Sequence, residues 1–244
     1  MKTLSMRGKT NHDFDLIIAG ADRGSERPLS ASRNDSYIEI PGRDGTILKS
    51  GSLQNNTLRV NFIRYSKGHN DWFDVRNDIV GWLHSKDEVK IRVDDEPGVY
   101  YLGKVSTYDV PIQHTSIVEL SVEFTVQPFR FADVRNITIN PSDSGQFEIT
   151  NKGNYDAPYK ATITVAGAGS TFDFTINGRR LRYSGAVGNG DVITIDSAGH
   201  EFRLNDELKV IQLSGSFNPL SAGKNNVEVS VSSRLEFDLQ ELFV

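Results

Sequence analysis

The sequence predicts a mostly β protein with an N-terminal antiparallel β domain that includes one α-helix, followed by a C-terminal β-sandwich. Apolar and polar residues alternate through most of the chain, which is the period of a strand buried on one face. A single segment has helical spacing instead. Beyond residue 130 the alternating runs become short and glycine-rich turns separate them, which is typical of a sandwich.

Length and composition fit this fold class. The chain has 244 residues, of which 37% are hydrophobic, and β-branched and aromatic residues are spread along it, so we expect packed cores rather than disorder. It contains no cysteine, which excludes disulfides, thiolate zinc sites and cysteine nucleophiles. The apolar stretch Leu16 to Ala19 is too short for a signal peptide or a membrane span. We therefore expect folding in a reducing cytoplasm and no membrane partner.

The charge balance argues against binding to nucleic acid. The formal net charge is −5, whereas neutralising phosphates needs a local surplus of Lys and Arg. The densest basic run consists of Arg179, Arg180 and Arg182, and we interpret it as a solvated face.

The first half is predicted to form an antiparallel sheet because its alternating runs place apolar side chains on one face. These runs are Leu58-Val60-Phe62, Val89-Ile91-Val93, Tyr101-Gly103-Val105 and Val118-Leu120-Val122-Phe124-Val126.

One helix is predicted between Asp71 and Ser85. Its apolar stripe recurs at steps of three and four residues and consists of Trp72, Val75, Ile79, Val80 and Leu83. Asp71 or Asn70 is available as the N-cap. Trp82 lies at the edge of the stripe, so we expect it to be partly exposed at an interface. Gly81 inside the helix costs about 1 kcal/mol relative to Ala.

The second half begins with a loop from Asn140 to Gly145. Short alternating runs follow, and they are Ala161-Ile163-Val165, Phe172-Phe174-Ile176, Val192 to Ile195, Val227-Val229-Val231 and Leu235-Phe237-Leu239. Asn177-Gly178 predicts a tight hairpin, and Gly167-Ala168-Gly169 is interpreted as a hairpin turn. We place the domain boundary near residue 131, giving domains at 1–130 and 131–244.

No constellation of catalytic or metal-ligating residues is found by spacing. The histidines are scattered, at His12, His69, His84, His114 and His200. The sequence has no nucleophile elbow and no complete dinucleotide fingerprint. We therefore predict no enzyme activity, no catalytic, cofactor-binding or metal-binding residue, and no cofactor.

The acidic run Asp94-Asp95-Glu96 is the best candidate for cation binding or for half of a glycosidase pair. Neighbouring side chains on an extended chain point to opposite faces, so the carboxylates do not converge. Pro97-Gly98 directly afterwards predicts a turn that closes a hairpin between Val89–Val93 and Val99–Val105.

An ordered series of segments resembles a known family. In the first half the series is Pro41-Gly42-Arg43-Asp44-Gly45, the strand Leu58 to Tyr65, the helix end Ile79 to Leu83, Asp95 to Tyr101, and Glu119 to Phe129. In the second half it is Asn151, Pro158, Ile195-Asp196, Gly215-Ser216-Phe217, Leu220, Gly223 and Asn225. From about residue 35 to residue 244, this order resembles the distal tail proteins (Dit) of siphophages.

The resemblance implies an assembly role at the tail tip of a virion, after synthesis in the bacterial host cytoplasm. Such proteins form a hexameric ring that meets the tail-tube protein on one face and the tail-fibre or tail-associated hub protein on the other. DNA passes through the central lumen without specific binding. The N-terminal domains build the ring, and galectin-like C-terminal sandwiches attach receptor-binding or baseplate proteins in some phages.

Two other functions remain open at this point. A carbohydrate-binding, lectin-like module for host adhesion would need exposed aromatics on one face, and the candidates are Tyr155, Tyr159, Phe172, Phe174 and Tyr183. A glycoside hydrolase would need two carboxylates about 5–10 Å apart in a cleft. Besides the acidic run, carboxylates are available at Asp13, Asp15, Asp191, Asp196 and Asp206.

Overall fold

A computed structural model describes residues 2–19, 25–26, 29–65, 71–109, 111–113, 116–140 and 145–244. It divides into two compact units, of which the first is Met1–Phe131 with Val244 and the second is Ala132–Phe243. Strands dominate both units, and the described residues contain one α-helix, which confirms the predicted mostly β class.

The first unit is built on an antiparallel sheet. Its strands are β1 (Leu4–Met6), β2 (Lys9–Thr10), β3 (Ile17–Ile18), β4 (Ser25–Glu26), β5 (Arg33–Glu39), β6 (Thr46–Leu53), β7 (Asn56–Tyr65), β8 (Val89–Val93), β9 (Val99–Tyr108), β10 (Ile112–Gln113) and β11 (Ile117–Ala132). The main sheet runs β2-β1-β8-β9-β11-β7-β3, with β10 on β11 and β4 on β7. A short 3-10 helix spans Asn11–Phe14, and helix α1 spans Asp71–Leu83.

The predicted alternation is confirmed on the central strands. Val122 of β11 lies opposite Val60 of β7, and both are fully buried. Leu58, Phe62 and Phe124 lie on the same buried face. The apolar period of two residues therefore identifies the side of the sheet that faces the first core.

Helix α1 is present as predicted, but the set of its residues that are buried differs from the prediction. Trp72, Ile79 and Leu83 are buried as expected. Val80, which was assigned to the buried stripe, is 46% exposed, whereas Trp82 is only 4% exposed. At 100° per residue, Trp82 lies about 60° from Ile79 and so belongs to the core face, while Val80 is turned about 100° away from Ile79. The alternative N-cap Asn70 lies outside the described residues.

Trp82 is fixed from two sides in the core. Its indole N–H donates to the carbonyl oxygen of Met6 at 3.0 Å. Its ring stacks on Phe14 with the centroids 5.0 Å apart. A buried Trp needs a hydrogen-bond acceptor, and strand β1 supplies one here, so the predicted partial exposure of Trp82 is wrong.

The C-terminal end of α1 is capped by a residue distant in sequence. The Arg7 guanidinium donates to the carbonyl oxygens of Gly81 at 2.9 Å and His84 at 2.7 Å. These carbonyls have no intrahelical partner, and a cation is favoured at the negative end of the helix dipole. Arg7 thereby ties the β1–β2 turn to the helix.

The second unit is a sandwich of two sheets. Its strands are β12 (Arg135–Ile139), β13 (Gln146–Asn151), β14 (Tyr159–Val165), β15 (Phe172–Ile176), β16 (Arg179–Tyr183), β17 (Val192–Asp196), β18 (Glu201–Leu204), β19 (Glu207–Leu208), β20 (Leu213–Gly215), β21 (Gly223–Val229), β22 (Ser233–Leu239) and β23 (Leu242–Phe243). One sheet has the order β12-β22-β14-β17-β18-β19, and the other has the order β13-β21-β15-β16-β20. Phe172 and Phe174 from one sheet share a core with Leu235 and Phe237 from the other.

Two turn predictions have opposite outcomes. Asn177 and Gly178 form the predicted two-residue hairpin between β15 and β16, with φ of 50° and 79°, as a type I′ turn requires. The hairpin expected at Gly167-Ala168-Gly169 is wrong, because β14 and β15 belong to different sheets. That segment instead crosses between the sheets. A Cβ on Gly169 would lie 2.9 Å from the carbonyl oxygen of Thr171, so this crossing requires glycine.

Of the predicted loop from Asn140 to Gly145, residues 141–144 lie outside the described part.

Candidate assembly interface

The acidic run forms the predicted turn. It joins β8 to β9, with the Glu96 N–H donating to the Val93 carbonyl at 3.0 Å and Gly98 at a φ of 83°. Asp95 lies 3.7 Å from the Lys2 ammonium. Glu96 accepts from the Tyr101 hydroxyl at 3.1 Å. The two carboxylates therefore serve different partners, and among the described residues no group of three acidic or histidine side chains is arranged to hold a metal ion.

The other candidate carboxylates mainly stabilise turns. Asp13 accepts from the Thr10 backbone N–H at 2.6 Å, and this bond lowers the pKa of the Asp13 carboxyl. The Asn205 side-chain amide, followed by the Gly188 N–H, lowers the pKa of Asp191. Asp196 accepts from the Gly199 N–H at 2.8 Å. A glycosidase acid needs a raised pKa, so Asp13 and Asp191 are poor candidates for that role.

The described histidines also have structural contacts. The His12 ring lies 3.1 Å from the Thr3 hydroxyl, and the His200 ring packs against Phe217 with the centroids 5.6 Å apart. The backbone N–H of His84 continues the helix by donating to Val80. His69 and His114 lie outside the described residues.

The aromatic residues proposed for a lectin surface are mostly core residues. Tyr159, Phe172, Phe174 and Tyr183 are each 5% exposed or less, whereas Tyr155 is 41% exposed. A sugar-binding platform needs ring faces open to solvent, so these residues do not provide the exposed group that a lectin-like module would need.

The basic run lies on β16 and is partly neutralised by β15. The Arg182 guanidinium donates to both carboxylate oxygens of Asp173, each at 2.7 Å. Arg180 lies 3.9 Å from the same carboxylate. This cross-strand pairing agrees with a solvated face that stabilises its own sheet.

The Asp173–Arg182 pair predicts a pH dependence for the second unit. The hydrogen bonds from Arg182 lower the pKa of Asp173 below its ordinary 3.8. The resulting stabilisation is fully present above pH 3.8 and is lost as the pH falls through the lowered pKa of the folded state. As the pH falls below 3.8, the difference in melting temperature between wild type and Asp173→Asn should shrink steadily. A difference that stayed constant down to about pH 2 would contradict this assignment.

An exposed hairpin is the most unusual surface of the first unit. Strands β5 and β6 pair with each other and form their own two-stranded sheet. At the tip, Pro41 and Gly42 form a type II turn, with Gly42 at a φ of 81° and the Arg43 N–H donating to Ile40 at 3.1 Å. Most hairpin side chains are exposed on both faces. An isolated two-stranded hairpin is only marginally stable in water.

Both faces of this hairpin carry apolar pairs. Tyr37 lies opposite Leu48, and their side chains are 58% and 52% exposed. Ile38 lies opposite Ile47 on the other face, at 45% and 38%. Consecutive apolar residues on both strands, close to a Pro-Gly turn, were the available sequence signal for this surface. Large exposed apolar patches mark interaction sites, so the hairpin is the best candidate assembly surface.

None of the described helices combines the length and the hydropathy needed to cross a membrane.

Two family models match the chain, one within each unit. The model described as a phage tail protein RIFT-related domain matches residues 20–127. The model described as the C-terminal domain of a siphovirus-type tail component matches residues 152–241. Together they account for most of the chain in the order that the sequence predicted.

A solved structure from phage SPP1 shares this fold. The Dit protein of phage SPP1, described as a paradigm of the hub adsorption apparatus in phages that infect Gram-positive bacteria, aligns over 100% of both chains, with a TM-score of 0.81 and 14% identity. A chain of the phage p2 baseplate in its activated conformation with Ca aligns over 99% of this chain and 98% of its own length, with a TM-score of 0.48 and 8% identity. A comparison with curated protein sequences finds no significant match.

Proposed function

Because the chain belongs to the siphophage distal tail (Dit) protein family, we propose that it forms a hexameric ring joining the tail tube to the tail-tip proteins. Membership of this family makes it a structural protein of a phage tail hub, located at the tail tip of the virion. The hairpin β5–β6 supports the ring, because it presents apolar residues on both faces that a partner surface would cover.

The geometry of a ring explains why one exposed element is useful. A closed ring needs a head-to-tail contact in which one surface of a subunit binds a different surface of the next subunit. A projecting hairpin suits this contact because it extends away from its own core. We assign ring formation to the domain at 1–130, which contains the hairpin.

We assign the attachment of other proteins to the domain at 131–244. Its size and its two sheets fit the galectin-like sandwich implied by the family. Between β19 and β20, Val210 and Ile211 are 68% and 99% exposed, and Leu208 on β19 is 48% exposed. This short apolar segment would suit the docking of a receptor-binding or baseplate protein.

DNA would pass through the lumen of the ring without being bound specifically. The net charge of −5 favours repulsion of phosphate, and the densest basic run is partly neutralised by Asp173. The tail tube would meet one face of the ring and the tail-associated hub protein the other. We propose no catalytic step and no cofactor.

Paired substitutions on the hairpin test the ring. Tyr37→Ser with Leu48→Ser removes the apolar pair from one face, and Ile38→Ser with Ile47→Ser removes it from the other. Each double variant should raise the concentration needed for half-assembly about tenfold or more, as measured by light scattering. Tyr155→Ser with Val192→Ser, at exposed positions of the second unit, should assemble like wild type. Unchanged assembly of both hairpin variants would refute the role of the hairpin.

A further inference from the structure

We infer that the outer face of helix α1 is the surface that receives the hairpin β5–β6 of a neighbouring copy. This inference rests on the proposed ring and names its second contact surface. It follows from three features of the first unit, which are an exposed apolar stripe, an unexplained helix glycine and a cavity with positive side chains.

The exposed stripe lies beside the core face of α1, since the buried Leu83 is only about 60° around the axis from Val80. Phe73 and Val80 are 53% and 46% exposed. They are seven residues apart, so at 100° per residue they differ by only about 20° around the axis. Trp82, which is buried, lies about 180° from Phe73. The helix is therefore apolar on two sides, and its own unit covers one of them.

Gly81 lies on the outer face of α1, about 80° around the axis from Phe73, and the fold of its own chain does not require a glycine there. It is exposed within the last turn of the helix, lacks a positive φ, and a Cβ added there would meet nothing within 4 Å. Glycine is a poor helix former, second only to proline. By contrast, a Cβ on Gly103 would collide with the backbone of Thr125 and Val126, so the fold itself requires that glycine. At Gly81, the absent side chain leaves room for close approach from outside.

A cavity of about 280 Å³ opens next to Gly81. It is lined by Arg7, Lys9, Asn77, Asp78, Gly81 and Trp82. Two cations and one carboxylate give it a net positive charge. A ligand that combines apolar side chains with a carboxylate would therefore match both the stripe and the cavity.

The hairpin of the same protein has this composition. Its tip carries two exposed carboxylates, Glu39 and Asp44, and one exposed cation, Arg43. These lie next to the exposed side chains of Ile38, Ile40 and Ile47. Apolar residues of the tip would cover Phe73 and Val80, and a carboxylate would face the cations of the cavity. Because donor and acceptor are different surfaces of one chain, the contact is head-to-tail, as ring closure requires.

Substitution of Gly81 separates folding from assembly, because the two effects have opposite signs. Gly81→Ala should raise the melting temperature of the first unit by about 4 °C through helix propensity. It should nevertheless weaken assembly, and Gly81→Arg should raise the half-assembly concentration about tenfold or more by blocking the approach. The control is Gly188→Arg, which places the same side chain at a glycine of the second unit. A Cβ there would meet one atom, at 3.8 Å, so the variant should assemble like wild type.

Disulfide trapping provides a second measurement, since the chain has no cysteine of its own. A mixture of the single variants Val80→Cys and Ile38→Cys should form a linked dimer on mild oxidation. A mixture of Val80→Cys and Val192→Cys should not. Two results together would overturn this inference while leaving the proposed ring intact. The Gly81 variants would assemble as well as wild type does, and the first mixture would give no more linked dimer than the second. If wild type does not self-associate at any concentration, the proposed ring fails as well.

Discussion

Ile79→Ala should unfold the first unit at a lower temperature while the second unit melts as in wild type. Ile79 is 1% exposed and packs in the core between α1 and the sheet, where truncation to Ala costs about 2–5 kcal/mol. Trp72→Ala, at a residue 5% exposed in the same core, should act in the same direction. Two separate cores predict two melting events, and scanning calorimetry of the full chain would resolve them.

The matched variant for this experiment lies in the other core. Phe237 is fully buried in the sandwich, so Phe237→Ala should lower the second melting event and leave the first in place. Independent folding of residues 1–130 and 131–244 remains a prediction until this is measured. A single transition that shifts as a whole in both variants would contradict it.

Arg64→Ala should destabilise the first unit by about 3–5 kcal/mol, because it leaves a partly buried carboxylate without its cation. The Arg64 side chain is 2% exposed, donates from Nη2 to Asp71 Oδ1 at 3.0 Å, and contacts the other Asp71 oxygen through Nη1. Its Nε–H donates to the carbonyl oxygen of Phe14 at 3.2 Å. One guanidinium thus connects β7, the 3-10 helix and the first turn of α1.

A double-mutant cycle separates the pair from its surroundings. Arg64→Met keeps most of the side-chain volume, and Asp71→Asn keeps the size of the side chain while removing its charge. The double variant should recover a large part of the stability lost in Arg64→Met, because neither charge remains buried alone. Denaturant unfolding gives each free energy of unfolding. If Arg64→Met and the double variant lost the same stability, the unpaired charge would not be the cause.

The fold class and many of the strands could be predicted because alternation reports burial directly. Val118 to Val126 alternates without a break, and each apolar member is buried. Asn177-Gly178 determined its hairpin locally, since few residue pairs adopt two left-handed conformations in succession. The ordered series of segments predicted the family, which the two family models confirm.

Other features depend on contacts that are distant in sequence. Arg64 follows Leu58, Val60 and Phe62 on the buried face of β7, so the strand period indicates its direction but not that Asp71 neutralises it. The buried Trp82 indole donates to the carbonyl oxygen of Met6, and nothing near Trp82 in the sequence indicates this contact.

The candidate interface was the hardest part to predict from sequence. A hairpin with apolar residues on both faces lacks the alternation that marks a strand with one buried face. Tyr37-Ile38 and Ile47-Leu48 therefore contributed nothing to the strand analysis, although they lie on either side of the Pro41-Gly42 segment that contributed to the family resemblance. Their exposure became clear only when β5 and β6 were seen to pair with each other alone.

The mass of the purified full chain in solution tests the central claim most directly. Light scattering over a concentration series, together with negative-stain images, should detect a particle of about 163 kDa, six times the 27.1 kDa of the chain, with six-fold symmetry. A chain that remains at 27.1 kDa at every concentration, with no ring in the images, would contradict the proposed hexamer.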